Sequence, residues 1–313
     1  MLGKRLIYTL IALLVLYSGL GLWSGSANLH SYLIQLPIWW WLAAPTLVIL
    51  GHGLLIQRWQ IYLRHLQHPL SWKAGARIYS AGLALIAAPG RSGEALRGLW
   101  LQRRHSIPVR VGVGITLAER LTDLAGALLV LSWGLGRQVW LAVLIAFLAL
   151  GGGSWLLTHP RLLRKLETSL DQIPLHSRWH GQLRLLRETL LAFAQVRQLM
   201  KPRPLLVGTA LSSLCWLLEA GVLLGTFTRL GHPLSLTQTA VIRTATGLGG
   251  VVSLLPAGLG TSEATAIGLA MAYGATRGEA LAATLVLRFA TLVVPCAVGI
   301  TSLLVQTDLR NNR

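Results

Sequence analysis

Charge is scarce in this chain. Only 12% of its 313 residues are Asp, Glu, Lys or Arg, about half the density of an ordinary soluble domain, which excludes a solvated globule. Cysteine is nearly absent: Cys215 and Cys296 both lie in apolar runs, far from any Cys-x-x-Cys pattern, so neither a disulfide framework nor a zinc site is implied. No glycine loop ending in Lys-Ser or Lys-Thr occurs, which argues against ATP-driven chemistry. The nine histidines fall mostly in loops or interfaces, and none joins a Ser/His/Asp constellation of the kind that nucleophilic catalysis requires. No cofactor and no metal are expected.

What the chain has instead is apolar length. Hydrophobic residues make up 53%, and runs at 6–23, 38–56, 109–133, 139–157, 205–227 and 281–305 are each long enough to cross a hydrocarbon core of about 30 Å as a helix. The expected fold is therefore an all-α polytopic membrane protein, one integral membrane domain over 1–313, with about six full transmembrane helices. The first run, after Lys4-Arg5, is longer than the usual apolar core of a cleaved leader and reads as span one. Trp39-Trp40-Trp41 suits an outer interfacial belt.

The formal charge of +18 raises nucleic acid as a partner, but the basic residues sit between spans rather than in one tail or recognition helix, so no nucleic acid is expected. Placing both termini in the cytoplasm puts 22 of the 28 Lys and Arg inside, the bias that orients proteins of a cytoplasmic (inner) membrane. In this count span two ends before Arg58, which joins Arg64, Lys73 and Arg77 at the cytoplasmic face. A basic cytoplasmic loop covers about 158–204; its leucines at roughly helical spacing suit an amphipathic helix on an anionic leaflet, and a topology-setting loop is the plainer reading.

Two short apolar segments, 78–88 and 95–102, flank Pro89-Gly90-Arg91-Ser92-Gly93-Glu94. Neither can cross, and basic residues at both ends imply a re-entrant hairpin. A second break, LLPAGLGTSE at 254–263, includes Pro256, Gly258, Gly260 and Glu263; before it, 236–255 is interrupted by Arg243 and weakened by glycines. At membrane depth, irregular backbone survives only where it is buried in protein or lines a cavity. The two segments share an order: Arg, short helix, Pro-Gly break, Glu-Ala, short helix, then a full span bearing Arg. Separations are 12, 5 and 26 residues from Arg77 through Pro89 and Glu94 to Arg120, and 13, 7 and 25 from Arg243 through Pro256 and Glu263 to Arg288. By the charge count the first unit (about 73–133) is entered from the cytoplasm and the second (about 236–305) from outside. Paired, interrupted short helices in opposite orientations are the sequence pointer to a transport site between inverted repeats, and the two breaks are expected to face each other with Arg120 and Arg288 beside them.

Ionisable residues inside spans complete the candidate set. Glu119, Arg120 and Asp123 fall within five positions, with Glu119 and Asp123 on one helix face; Glu219 lies near the middle of its span. Such groups cost on the order of 3 kcal/mol each at a helix centre and face a partner or an aqueous cavity. A packing ion pair is the plainer alternative for Glu119, Arg120 and Asp123.

The motifs APGRSGEALRG at 88–98, ERLTDLAG at 119–126 and LLPAGLGTSEA at 254–264, with Arg288, resemble the flippase-like family that includes the transmembrane region of lysylphosphatidylglycerol synthases. The resemblance covers nearly the whole chain. It implies a lipid-translocating membrane domain and points to Glu94, Arg97, Glu119, Arg120, Asp123, Glu263 and Arg288. No soluble aminoacyl-transferring domain is seen, so lysine transfer is not expected, and relatives associated with glycosyltransferases make a polyprenyl-phosphate glycolipid as reasonable a cargo as an anionic phospholipid. The expectation is a flippase or transporter, not an enzyme, whose headgroup site draws on Arg91, Glu94, Arg97, Glu119, Arg120, Asp123, Glu219, Arg243, Glu263 and Arg288, with membrane lipids bearing anionic headgroups as partners. Two other classes stay open: an integral membrane lipid-phosphate enzyme, and a non-transporting scaffold for a glycosyltransferase or synthase, a lipid-modifying partner that the basic loop could hold.

Overall fold

The computed structural model describes residues 26–86, 96–136, 159, 161, 168, 191–253 and 255–311. Every regular element among them is helical: α1 (Ser26–Gln35), α2 (Trp40–His65), α3 (Trp72–Leu83), α4 (Leu96–His105), α5 (Val109–Leu135), α6 (Pro202–Arg229), α7 (Leu236–Val252), α8 (Thr261–Ala272), α9 (Arg277–Arg288) and α10 (Val294–Asn311). A 3-10 turn, Pro256–Gly258, lies between α7 and α8, and a π turn, Phe289–Val293, joins α9 to α10.

Local chemistry explains where these helices start. Ser235 and Thr276 each cap a helix reciprocally with the residue three positions on: the Gln238 and Glu279 amides donate to the cap hydroxyls, and the cap amides donate to the Gln238 and Glu279 side chains. These are capping boxes, which satisfy two orphan N–H groups at each start. α3 begins at Trp72, earlier than the expected segment from 78, because the Ser71 hydroxyl accepts from the Ala74 amide. After Leu83 the chain tightens into i→i+3 bonds at Ala84, Leu85 and Ile86. The π turn also has a local cause. Pro295 has no N–H to offer the Thr291 carbonyl, so the ladder loosens there, and the Val294 amide donates to Phe289, five residues back.

Among the described residues three helical stretches are long and apolar enough to cross a membrane: α2, α6 and the continuous Arg277–Val305. They correspond to the expected spans at 38–56, 205–227 and 281–305. At 27 residues α5 has the length but carries Arg110, Glu119, Arg120 and Asp123. The expected spans at 6–23 and 139–157 lie outside the described residues, as do the first break with Pro89, Gly90, Arg91 and Glu94, and nearly all of the basic loop up to residue 190. One boundary is corrected: α2 does not end before Arg58 but runs on to His65, with Arg58 fully buried rather than at a cytoplasmic surface. Another is that Arg243 does not interrupt its helix, since α7 is continuous from Leu236 to Val252.

The helices pack in matched sets. α2 and α6 lie against each other along their length and run antiparallel: the Trp40 indole donates to Thr226, Gly51 faces Cys215, and Gly208 faces Tyr62. α3 packs on α10 and α7 on α5, while α4 rests on α5 as α8 rests on α9. The α3–α10 contact is also antiparallel, with Cys296 Sγ on the Ala84 carbonyl and Ser302 donating to the Arg77 carbonyl. One apolar cluster gathers Trp40, Val48, Phe227, Ile242 and the alanines of α8 and α9. Another gathers Trp59, Tyr62, Ile78, Tyr79, Leu101, Ile115 and Leu292, and Ala257 and Leu259 from the second break pack against it. The tip of α7–α8 therefore reaches the core built on α3, α4 and α5.

Candidate functional site

Among the described residues, the paired arginines and carboxylates inside the helical spans form three clusters. The first is assembled by α2, α4, α5 and α6 around Glu119, which is wholly buried. Arg97, near the start of α4, places Nη2 at 2.9 Å from Glu119 Oε2, while its guanidinium lies 4.8 Å from the ring centres of both Trp59 and Tyr79. Two aromatic faces thus hold the plane that presents the charge. From α2, Arg58 points one nitrogen toward Glu119 at 3.7 Å and another to Asp123 Oδ1 at 2.5 Å. The same nitrogen donates to the hydroxyls of Thr122 and Ser212, and Ser212 donates in turn to Asp123 at 3.0 Å. Asp123 turns its other oxygen to Arg120, 3.2 Å away. Arg120 is the outermost member, about one-third exposed.

The second cluster joins α6 to α7. Glu219 pairs with Arg243, whose guanidinium lies 4.5 Å above the Trp216 ring. Trp216 also donates its indole N–H to the Asp123 carbonyl at 3.1 Å, so one side chain touches both clusters. Between them sits Cys215, buried, with Sγ 3.9 Å from Glu219. Ser212 and Glu219 are seven residues apart on α6, which sets the two clusters about 10 Å apart along the helix.

The third cluster closes the second break. Arg288, the last residue of α9, donates through Nε to Glu263 Oε1 at 2.7 Å, and the other carboxylate oxygen accepts the Gly260 amide at 2.7 Å. Glu263 thereby completes the helix start that Gly260, having no side chain, cannot cap. Reaching this geometry takes three left-handed residues, Ala257 (φ 53°), Gly258 (φ 65°) and Gly260 (φ 84°). Glycine is further required at 258 by close approach, since a Cβ there would lie 2.6 Å from the Gly250 Cα. Ser262 ties the two arms, donating to the Thr246 carbonyl at 3.1 Å.

Such geometry is expensive in a membrane unless function or fold requires it. Residues 9–299 match the protein family described as "Lysylphosphatidylglycerol synthase TM region". The chain belongs to that family. A comparison with curated proteins returns no match.

In this member of the family, then, the expected site residues that the structure describes do meet, though not always in the expected pairs. Arg288 and Glu263 are partners. Arg97 with Glu119 is the corresponding pair at the other short helix, with the signs exchanged: there the short helix carries the cation and the long helix the anion. Arg120, aligned by spacing with Arg288, instead holds Asp123. Arg91 and Glu94 lie outside the described residues. Arg58 was missed. Its signal was faint but present: Arg58, Tyr62 and Leu66 recur at helical spacing on a face that is apolar apart from the arginine, continuing span two beyond the charge. Among the described residues no group of three His, Cys, Asp or Glu could hold a metal ion. The family is one of membrane proteins tied to lipid metabolism or transport, and the clusters offer it guanidinium groups whose present partners are carboxylates, the same oxygens-on-a-fork geometry that a phosphate would present.

Proposed function

We propose that this protein moves a lipid with an anionic headgroup, an anionic phospholipid or a polyprenyl-phosphate-linked glycolipid, across the cytoplasmic membrane, with both termini in the cytoplasm. The observation that carries the reading is the pair of Arg–carboxylate contacts placed alike at two short helices, Arg97–Glu119 where α4 meets α5 and Arg288–Glu263 where α8 meets α9. Antiparallel packing of α2 on α6, and the matched contacts α3–α10 and α7–α5, support treating the chain as two inverted units, the arrangement in which alternating access is a rocking of one unit against the other.

In this mechanism the headgroup phosphate exchanges with a carboxylate on an arginine fork while the tails stay in the bilayer. Arg120, the most exposed of these cations, meets the headgroup first. Arg288 receives it when Glu263 yields. Exchange of one anion for another keeps the buried guanidinium paired throughout, which avoids the cost of an uncompensated charge. The test is purified protein in vesicles containing a fluorescent phospholipid or isoprenoid phosphate, read by loss of fluorescence on adding an impermeant reductant. Wild type is expected to expose the inner-leaflet probe and Arg120→Gln to slow that exposure at least about tenfold. Equal rates in protein-free vesicles, or an unimpaired Arg120→Gln with every lipid tried, would remove the proposal.

A further inference from the structure

One arginine stands apart from the three clusters. Arg58, Arg97, Arg120, Arg243 and Arg288 each meet a carboxylate. Arg229, the last residue of α6, meets none among the described residues. Its guanidinium lies 4.0 Å from the ring centre of Trp40 and 4.3 Å from that of Trp39, and the two indoles stand edge to face at 87°. Nη1 donates to the Gly225 carbonyl at 2.6 Å, and Nε is sealed from solvent without a hydrogen-bond partner. Gly225 permits this seat, because a Cβ there would run into the Trp40 ring.

The dipole at a helix C-terminus favours a cation, but it does not require one fixed in an aromatic corner. A guanidinium held only by π faces and one carbonyl keeps most of its charge uncompensated, and the described chain supplies no anion for it. The surroundings indicate where one comes from. Ile38 is 83% exposed and Trp39 52%, on a stretch whose three tryptophans suit the membrane interface, the level at which lipid phosphates lie. Along α2 this corner is about 27 Å from Arg58, and along α6 Arg229 is about 15 Å from Glu219, so it is not part of either of those clusters.

We infer that Arg229, framed by Trp39 and Trp40, is a phosphate-binding site on the rim of the protein, filled by the phosphodiester of a membrane lipid. The stacked plane leaves the outward edge of the fork for a phosphate oxygen, and the exposed face of Trp39 lies beside the first acyl carbons. The inference does not rest on transport.

The test uses full-length protein in detergent, titrated with brominated phosphatidylglycerol or brominated diacylglycerol, which share tails and differ in the phosphate. Bromine quenches nearby tryptophan, and the difference between wild type and Trp39→Phe isolates the Trp39 signal. Phosphatidylglycerol is expected to quench Trp39 at about tenfold lower mole fraction than diacylglycerol, as one charge-assisted hydrogen bond provides. Arg229→Gln should erase that gap. Arg229→Lys should narrow it, because an ammonium cannot lie across both rings, and this variant decides the matter if Arg229→Gln does not fold. Prior addition of inorganic phosphate identifies the source: persistence of the gap assigns the site to the lipid, and its loss assigns the same site to free phosphate. Equal quenching by the two lipids in wild type, or a gap unchanged in Arg229→Gln or Arg229→Lys, overturns the inference and leaves Arg229 an interfacial anchor.

Discussion

Glu263 and Arg288 offer the cleanest measurement of what a buried pair does in this fold. Glu263 is 3% exposed and Arg288 12%, so neither charge has water to fall back on. Removing one partner of such a pair costs about 3–5 kcal/mol, whereas replacing both with uncharged groups of similar size is close to neutral. Arg288→Met removes the cation from the Glu263 carboxylate, which keeps the Gly260 amide as a donor, and should fall in the upper part of that range. Glu263→Gln keeps an oxygen for Gly260 while stranding the guanidinium, whose other contact is a weak 3.5 Å reach to the Gly258 carbonyl, and should fall in the lower part. The double variant should be less destabilised than Arg288→Met alone, giving a coupling energy of about 2 kcal/mol or more. Denaturant unfolding of the four proteins in one detergent, followed by circular dichroism, measures the cycle. Single effects that add to the double within about 0.5 kcal/mol would refute the claim that these charges depend on one another. Under the transport reading, the double variant should also be stable yet inactive, separating the pair's structural role from its functional one.

Arg58→Leu is expected to cost about 3–5 kcal/mol because it leaves Glu119 and Asp123 short of a cation in a dry site, against at most about 1 kcal/mol for Arg120→Leu at the exposed edge; the same unfolding assay ranks them. Gly258→Ala should lose about 1–3 kcal/mol, since its left-handed backbone penalises a side chain and the added Cβ meets Gly250; Gly268→Ala, where a Cβ meets nothing within 4 Å, is the control and should be neutral or slightly stabilising. Thr276→Ala removes the cap of α9 and should cost about 1 kcal/mol, with amide exchange accelerating first at Glu279, whose N–H the Thr276 hydroxyl receives.

Much of the fold was legible because its elements announce themselves locally. The apolar runs at 38–56 and 205–227 became α2 and α6, whereas Ser235-x-x-Gln238 and Thr276-x-x-Glu279 went unread as helix starts although their spacing needs no tertiary information. The second break was legible for the same reason: Pro256, Gly258 and Gly260 supply backbone conformations that few other residues tolerate. What could not be read was compensation at a distance. Arg243 looks like an interruption until Glu219 and Trp216 arrive from another helix, and Arg58 looks like the end of a span until Asp123 and Ser212 cover it. A charge inside an apolar run has opposite meanings with and without its partner. The pairing Arg97–Glu119 was hidden by a related cause, since spacing alone aligned Glu94 with Glu263 and could not show that the two short helices carry opposite signs into similar positions.

The ion pairs also bear on how the chain is made. Among the described residues each buried ion pair joins two helices, so its first member is synthesised before its partner: Arg58 precedes Asp123 by 65 residues and Glu263 precedes Arg288 by 25. A helix released singly into lipid would therefore carry an unmatched charge at a cost of a few kcal/mol. Retaining α8 beside the insertion machinery until α9 emerges brings Arg288 to Glu263 before either meets hydrocarbon, and the same delay serves α4 with α5 and α6 with α7. Biogenesis of this protein is thus expected to proceed by helical pairs, with Arg58 as the exception that must wait longest for its partner.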